Sequence, residues 1–191
     1  QYDSTFTSNL ELIVKNNQNQ NVTIATFENV ENGQQISLNE TQLNTLFTAT
    51  SAQQKYQIFW LLYTLNNGTS IGNTTTQSMG IINNANPIFT DFDFADINPV
   101  TTAVTSSNQS IVGGVSTLQI TIPTTKKAIA LKGASIVSYI ISDKAIDYST
   151  SEITKTIPQY NSSEIVVSAV DTRGNTTTVR KTITDFIVYS P

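Results

Sequence analysis

The 191-residue chain has no histidine and no cysteine, a single methionine, a single tryptophan and only 13% charged residues. Each shortage removes a class of chemistry. Without histidine or cysteine there is no Ser-His-Asp triad, no Cys-His nucleophile and no imidazole or thiolate metal site, which excludes haem, iron–sulfur and ordinary zinc chemistry as well. Without cysteine there are no disulfides, so a small stapled secreted scaffold is excluded, although this does not define a reducing compartment. With 10 Lys plus Arg against 14 Asp plus Glu and a pI near 4.6, the chain lacks the basic stripe that a nucleic-acid partner requires. Its longest apolar run, Ile58 to Tyr63, is six residues, against the ~18 of a membrane span, so no membrane partner is expected. Carboxylate chemistry, oxygen-ligated hard cations and lysine chemistry stay open. The expectation is a protein with no chemistry at all: not an enzyme, and without cofactors.

What replaces charge is neutral polarity. The charged fraction is about half the roughly 25% usual in globular domains, and 30 Thr, 19 Ser, 19 Asn and 13 Gln take its place. Thr and the β-branched aliphatics favour strands, whereas Asn, Ser and Gly favour turns, so the composition predicts an all-β fold. The length allows one large sandwich or two small ones. Gln1 is not an initiator methionine, and Val188-Tyr189-Ser190 runs into a linker-like Pro191; together they suggest a piece of a longer polypeptide.

Along the chain, Leu10, Leu12 and Val14 alternate with Glu11, Ile13 and Lys15, and Val22, Ile24 and Thr26 alternate again behind the polar tract 16–21. This period of two predicts a hairpin. Ile36 to Leu38 is a further short strand candidate. Asn39 has Gln42 three positions later, and Leu43, Leu46 and Phe47 recur at helical spacing, which predicts a short helix over 40–48. Tyr56 to Leu65 is apolar at nearly every position and ends in Asn66-Asn67-Gly68. That pattern predicts a central strand covered on both faces, with Trp60 in the core and residues 69–82 returning as its hairpin partner. Gly72 and Gly80 are bulge or edge features of that partner.

Asn83-Asn84-Ala85-Asn86-Pro87 is the best linker in the sequence, because four turn-formers and a proline bar a continuous strand. Seven strands are predicted beyond it: Phe89 to Phe94, Ile111 to Ile122 with a Gly113-Gly114 bulge, Ala128 to Leu131, Ile136 to Ser142, Ile153 to Ile157, Ile165 to Val170 and Val179 to Val188. Asp171-Thr172-Arg173-Gly174-Asn175 joins the last two, with Gly174 suited to a positive-φ turn position. Seven short strands separated by turn signals are the count of an immunoglobulin-like sandwich. The organisation expected is therefore tandem Ig-like β-sandwich modules over residues 1–85 and 86–191, with one short helix in the first.

Two stretches resemble a known family. One runs from Ile82 through Asn83-Asn84-Ala85-Asn86-Pro87-Ile88-Phe89 to Phe92 and on through Asp96-Ile97-Asn98 and Thr105 to Ile111. The other is Val167 to Val179. Both are similar to the Ig-like modules of minor structural and tail proteins from phages that infect Gram-positive bacteria, in which an N-A-N-P-x-F junction opens a module and an A-x-D-x-R-G-x-x-T hairpin closes it. Leu38 to Gly72 resembles the end of the preceding module. The resemblance implies a non-enzymatic virion component of the tail, tail tip or fibre, facing the exterior. It would assemble with other virion proteins and with copies of itself. No catalytic residues come with it. Two alternatives stand beside it: a receptor-binding module contacting host cell-wall polysaccharide, and a bacterial surface adhesin stalk.

Several constellations carry candidate chemistry. Asp91, Asp93 and Asp96 form the densest carboxylate cluster and are a calcium candidate; the simpler reading places Asp91 and Asp93 on a solvent face opposite Phe92 and Phe94. Glu152 and Glu164, with Asp143 and Asp147 nearby, are the pairs a glycosidase would need, but no sugar-stacking aromatic accompanies them. Lys126, Lys127 and Lys132 bracket an apolar segment and would either grip an anionic wall polymer or guard a sheet edge. Tyr139, Tyr148 and Tyr160 are the candidate glycan contacts. Seven N-x-[ST] sequons, at Asn21, Asn39, Asn67, Asn73, Asn108, Asn161 and Asn175, follow from the abundance of Asn and Thr. A Lys–Asn isopeptide crosslink has its raw materials here, but no motif fixes a pair.

Overall fold

The computed structural model describes residues 5–190; Gln1 and Pro191, on which the expectation of a longer polypeptide drew, lie outside the described residues. Strand dominates at 47% against 11% helix, which makes the chain all-β in class. It divides into two compact units, residues 1–85 with 132–134, and residues 86–131 with 135–191. The division falls inside the Asn83–Pro87 tract. The short segment 132–134 that joins the first unit has no signal in the sequence.

The first unit contains β1 (Phe6–Lys15), β2 (Asn21–Phe27), α1 (Glu40–Ala49), β3 (Lys55–Asn66) and β4 (Thr69–Ile81). The strands form one antiparallel sheet in the order β2-β1-β3-β4. Its turns are chemically specified. Asn16 Oδ1 accepts from the Gln18 and Gln20 backbone N–H at 2.9 and 2.8 Å to close β1–β2. Asn67 and Gly68, at φ 48° and 78°, form the two-residue β3–β4 turn that needs positive φ at both positions. α1 begins with a complete capping box: the Asn39 side chain accepts from the Gln42 N–H, and the Gln42 side chain accepts from the Asn39 N–H, each at 2.9 Å.

In the register Leu12 opposite Trp60 and Val14 opposite Ile58, one sheet face supplies Leu12, Val14 and Tyr56 to a core shared with Ile24 and Leu46, with Ile58 and Trp60 packed against it. The second layer here is α1, not a second sheet, so the sandwich expected for residues 1–85 is corrected to one sheet with one helix. Ile36 to Leu38 forms no strand; three residues with no pairing neighbour lead directly into the helix cap. β3 is central, but it is not covered on both faces. Only Tyr56 is buried, and Phe59, Leu61, Tyr63 and Leu65, on the face opposite the core, stay half-exposed.

The second unit contains β5 (Asp93–Asp96), α2 (Pro99–Thr105), β6 (Ile111–Val112), β7 (Leu118–Ile122), a 3₁₀ turn (Thr124–Lys126), β8 (Ile136–Ile141), β9 (Lys144–Asp147), β10 (Ile153–Ile157), β11 (Glu164–Asp171), β12 (Thr176–Thr182) and β13 (Phe186–Ile187). Two antiparallel sheets, β10-β7-β5 and β12-β11-β8-β9, are accompanied by a small parallel pair, β13-β6. Alternation along the strands builds a β-sandwich-like core. Leu118, Ile120 and Ile122 of β7, Ile165, Val167 and Ala169 of β11, Tyr139 and Ile141 of β8, and Phe92 and Ile111 are all buried. Each large side chain of this kind contributes roughly 1.5–3 kcal/mol by leaving water.

The predicted strands are refined in several places. Ile111–Ile122 splits into β6 and β7 because Gly114, at φ 74°, turns the chain between them. Val179–Val188 splits into β12 and β13. Ala128–Leu131 contributes only a single bridge, Ile129 to Ile88. β9 and α2 are additions. β9 is reached by a two-residue turn, Ser142-Asp143, at φ 50° and 62°, and so lacks the Asn-Gly that usually marks one. α2 carries the ordinary N-terminal signature of Asn98 at the cap and Pro99 in the first turn.

Candidate functional site

The carboxylates resolve into two arrangements of different purpose. Asp91 and Asp93 flank the buried Phe92 and share Lys126, whose Nζ lies 2.6 Å from Asp91 and 2.5 Å from Asp93. Lys181 Nζ is 2.6 Å from the other oxygen of Asp91. Hydrogen bonds from Lys126 and then Lys181 hold the Asp91 carboxyl down at about 2. Because a depressed carboxyl favours the folded state only while it is ionised, this contribution is complete above pH ~4 and is lost as pH falls towards 2. The side chain is 40% exposed, so solvent screening limits the effect to below about 1 kcal/mol. Asp91→Asn is expected to lower stability by up to about 1 kcal/mol above pH ~4 and to flatten the acid limb of the pH–stability curve, so that variant and wild type converge as pH falls towards 2.

Asp96 faces elsewhere. It is 2% exposed and accepts four hydrogen bonds: from the Thr101 hydroxyl, from the Ser116 hydroxyl at 2.6 Å, and from the Asn98 and Thr117 N–H at 2.9 and 3.0 Å. Burial pushes its carboxyl up, but the bonds from Ser116, Thr101, Asn98 and Thr117 together outweigh burial and leave it lowered. The calcium candidate Asp91, Asp93, Asp96 is therefore corrected. Two members are neutralised by lysines and the third has its acceptor capacity filled by donors. Among the described residues no group of three acidic, His or Cys side chains is placed to hold a metal.

The lysines diverge in the same way. Lys126 is spent on Asp91 and Asp93. The Lys127 ammonium is buried without a hydrogen-bond partner, 5.6 Å from the Tyr139 ring centre and 5.4 Å from that of Tyr148. Burial lowers its pKa, partly offset by Glu152. Lys132 donates to the Asn83 carbonyl and lies 5.8 Å from the Phe47 ring centre. A basic face for an anionic polymer is not what these three residues build.

Of the tyrosines, Tyr139 is fully buried. Its hydroxyl accepts from the Ala128 N–H at 2.8 Å, and its ring meets Phe89 edge-on at 5.5 Å. The glycan role for Tyr139 is thus corrected to a core role. Tyr148 is 40% exposed. Tyr160 lines a shallow groove with Ile140, Ser142, Asp143 and Glu164, with its hydroxyl donating to the Glu164 carbonyl at 2.5 Å. The Glu164 carboxylate is paired with Arg180 at 2.7 Å, and Asp143 occupies the β8–β9 turn. Asn39 and Asn67, read as sequons, cap α1 and turn β3 into β4. Asn175 donates its side-chain amide to Asp171 at 3.0 Å.

A feature that candidate residues alone miss is the outer edge of the first sheet. β4 spans 13 residues, Thr69 to Ile81, all exposed except the half-buried Gly80. Among the described residues it has no strand beyond it. It carries no Lys, Arg, Asp, Glu or Pro. In the second unit every outer strand of the two larger sheets is charged: β5 has Asp93 and Asp96, β10 has Lys155, β9 has Lys144 and Asp147, and β12 has Arg180 and Lys181. The other edge of the first sheet, β2, is seven residues long and contributes Ile24 to the core that α1 caps with Leu46.

Comparison of the chain with profiles of known protein families, with curated proteins and with solved structures returned no match. No helix among the described residues is long and apolar enough to cross a membrane.

Proposed function

We propose that the chain is a non-enzymatic structural protein of a phage virion, a tail, tail-tip or fibre component that assembles with other virion subunits and with copies of itself. The observation that carries this reading is the strand order of the second unit. Lettering β5, β7, β8, β9, β10, β11 and β12 as A, B, C, C′, E, F and G gives the orders A-B-E and G-F-C-C′, which support an immunoglobulin-like reading of this unit. Tyr160 lies in the E–F connection, where such sandwiches clamp the corner with a tyrosine; here its hydroxyl reaches four residues downstream. This support for an Ig-like reading extends to residues 86–191 only.

The closing hairpin of the resemblance supports the reading physically. Asp171 is 1% exposed and accepts from the Arg173 and Asn175 N–H at 2.9 and 2.8 Å, which fixes the turn in which Gly174 sits at φ 80°. Neutral Thr, Ser, Asn and Gln faces are less costly to desolvate than charged ones, and this suits packing of copies within a particle. Immunogold labelling of phage particles from the source culture, with antibodies raised against the chain, is expected to decorate tails at discrete positions. Unlabelled particles together with labelled bacterial cell walls would replace this reading with the adhesin stalk.

A further inference from the structure

We propose that β4 is the seam through which two copies of this chain join, edge to edge, into one continuous antiparallel sheet. An outer strand presents a row of unpaired N–H and C=O groups, and natural proteins blunt such rows with charge, proline, bulges or brevity. Every outer strand of the two larger sheets in the second unit carries that protection. β4 has neither charge nor proline over 13 residues. Its one irregularity, the register shift opposite Thr64 and Leu65, lies near one end and leaves residues 72–81 in regular register.

The occupant that fits is a second copy. The chain as a whole is net −4, and approach along this uncharged edge brings no like charges face to face. Strand addition of this kind gains affinity from main-chain hydrogen bonds and specificity from the alternate side chains. Full overlap of two antiparallel copies sets the two-fold axis at Thr75, the middle residue of 69–81. Thr74 then meets Thr76, Asn73 meets Gln77, and Gly72 meets Ser78. Cross-strand Thr–Thr pairs are favourable. At each end this pairing sets the bulged Ile71 of one copy near Met79 and Ile81 of the other; the three are 58%, 60% and 52% exposed, and close approach of the edges covers them.

This inference deepens the assembly reading and rests on it. The test uses the whole chain, whose lack of cysteine makes single-cysteine variants unambiguous. Sedimentation velocity of the wild type is expected to show a concentration-dependent dimer. Thr75→Lys, which sets two ammonium groups opposite each other, is expected to weaken it at least ~tenfold with no change in melting temperature, because Thr75 is exposed. Thr75→Cys is expected to form a disulfide-linked dimer under mild oxidation, while Thr182→Cys on the charged strand β12 stays monomeric. Should Thr75→Lys fail to fold, the cysteine pair still decides. A wild type monomeric at every concentration overturns both the seam and assembly between copies. A wild type that associates while Thr75→Lys associates equally, or Thr182→Cys crosslinks as well as Thr75→Cys, overturns the seam alone.

Discussion

Replacing Asp96 with alanine is expected to lower the melting temperature by about 10 °C or more. Four donors converge on this buried carboxylate, and two of them, the Asn98 and Thr117 N–H groups, are backbone groups that cannot rotate away. Leaving buried donors unsatisfied costs about 1–3 kcal/mol each, and more where a charge was the acceptor. A total near 3 kcal/mol corresponds to roughly 4–8 °C per kcal/mol in a domain of this size. The effect is local in origin. Asp96 ties the start of α2, through Asn98 and Thr101, to the segment entering β7, through Ser116 and Thr117, so its loss loosens the connection between the two. Asp96→Asn keeps the shape but points an NH₂ at a donor, and about half the loss is expected. Calorimetry checks both. A shift under ~3 °C for the alanine variant would show that the network is not what holds α2.

The second large effect is expected at Tyr139. Tyr139→Ala removes a fully buried ring that packs edge-on against Phe89 and supports the Lys127 ammonium, at a cost of about 3–5 kcal/mol. Tyr139→Phe keeps the ring but removes the acceptor of the Ala128 N–H, at a cost of about 1–2 kcal/mol. Denaturant melts of the two variants separate packing from hydrogen bonding. Equal losses would mean that the hydroxyl, not the ring, carries the contribution.

These two residues show what could be read from the sequence and what could not. Elements set by local chemistry were legible. The Asn39–Gln42 capping box starts α1 where its spacing says, Asn67-Gly68 turns β3 into β4, and Gly174 sits at the positive-φ position of the Asp171–Asn175 turn. Strand periodicity likewise located β1, β2, β8, β10 and β11. What failed was any inference about direction across layers. The alternation around Tyr139 places it in a strand, but only the packing of β8 over β7 and Phe89 tells that its ring faces inward. The same holds for Asp96: its spacing from Asp91 and Asp93 is that of a cluster, yet the hydroxyls of Thr101 and Ser116 that fill its oxygens arrive from α2 and from the β6–β7 connection. β3 misled because its apolar residues on alternate sides read as a strand buried on both faces, whereas only one face meets α1. The unguarded edge of β4 was legible as 13 residues without charge or proline, but its meaning depends on knowing that it is the last strand of its sheet.

Asp91, Asp93, Asp96, Lys126 and Tyr139, which looked like site residues, are thus engaged by the fold, and the central claim that remains is the unguarded edge of β4. Amide hydrogen exchange across the whole wild-type chain, at low and at high protein concentration, tests this most directly. Peptides covering Thr69–Ile81 are expected to gain protection as concentration rises, while β9, β10 and β12 keep the same rates. Protection of β4 that does not change with concentration, or a gain confined to the charged edges of the second unit, would contradict it.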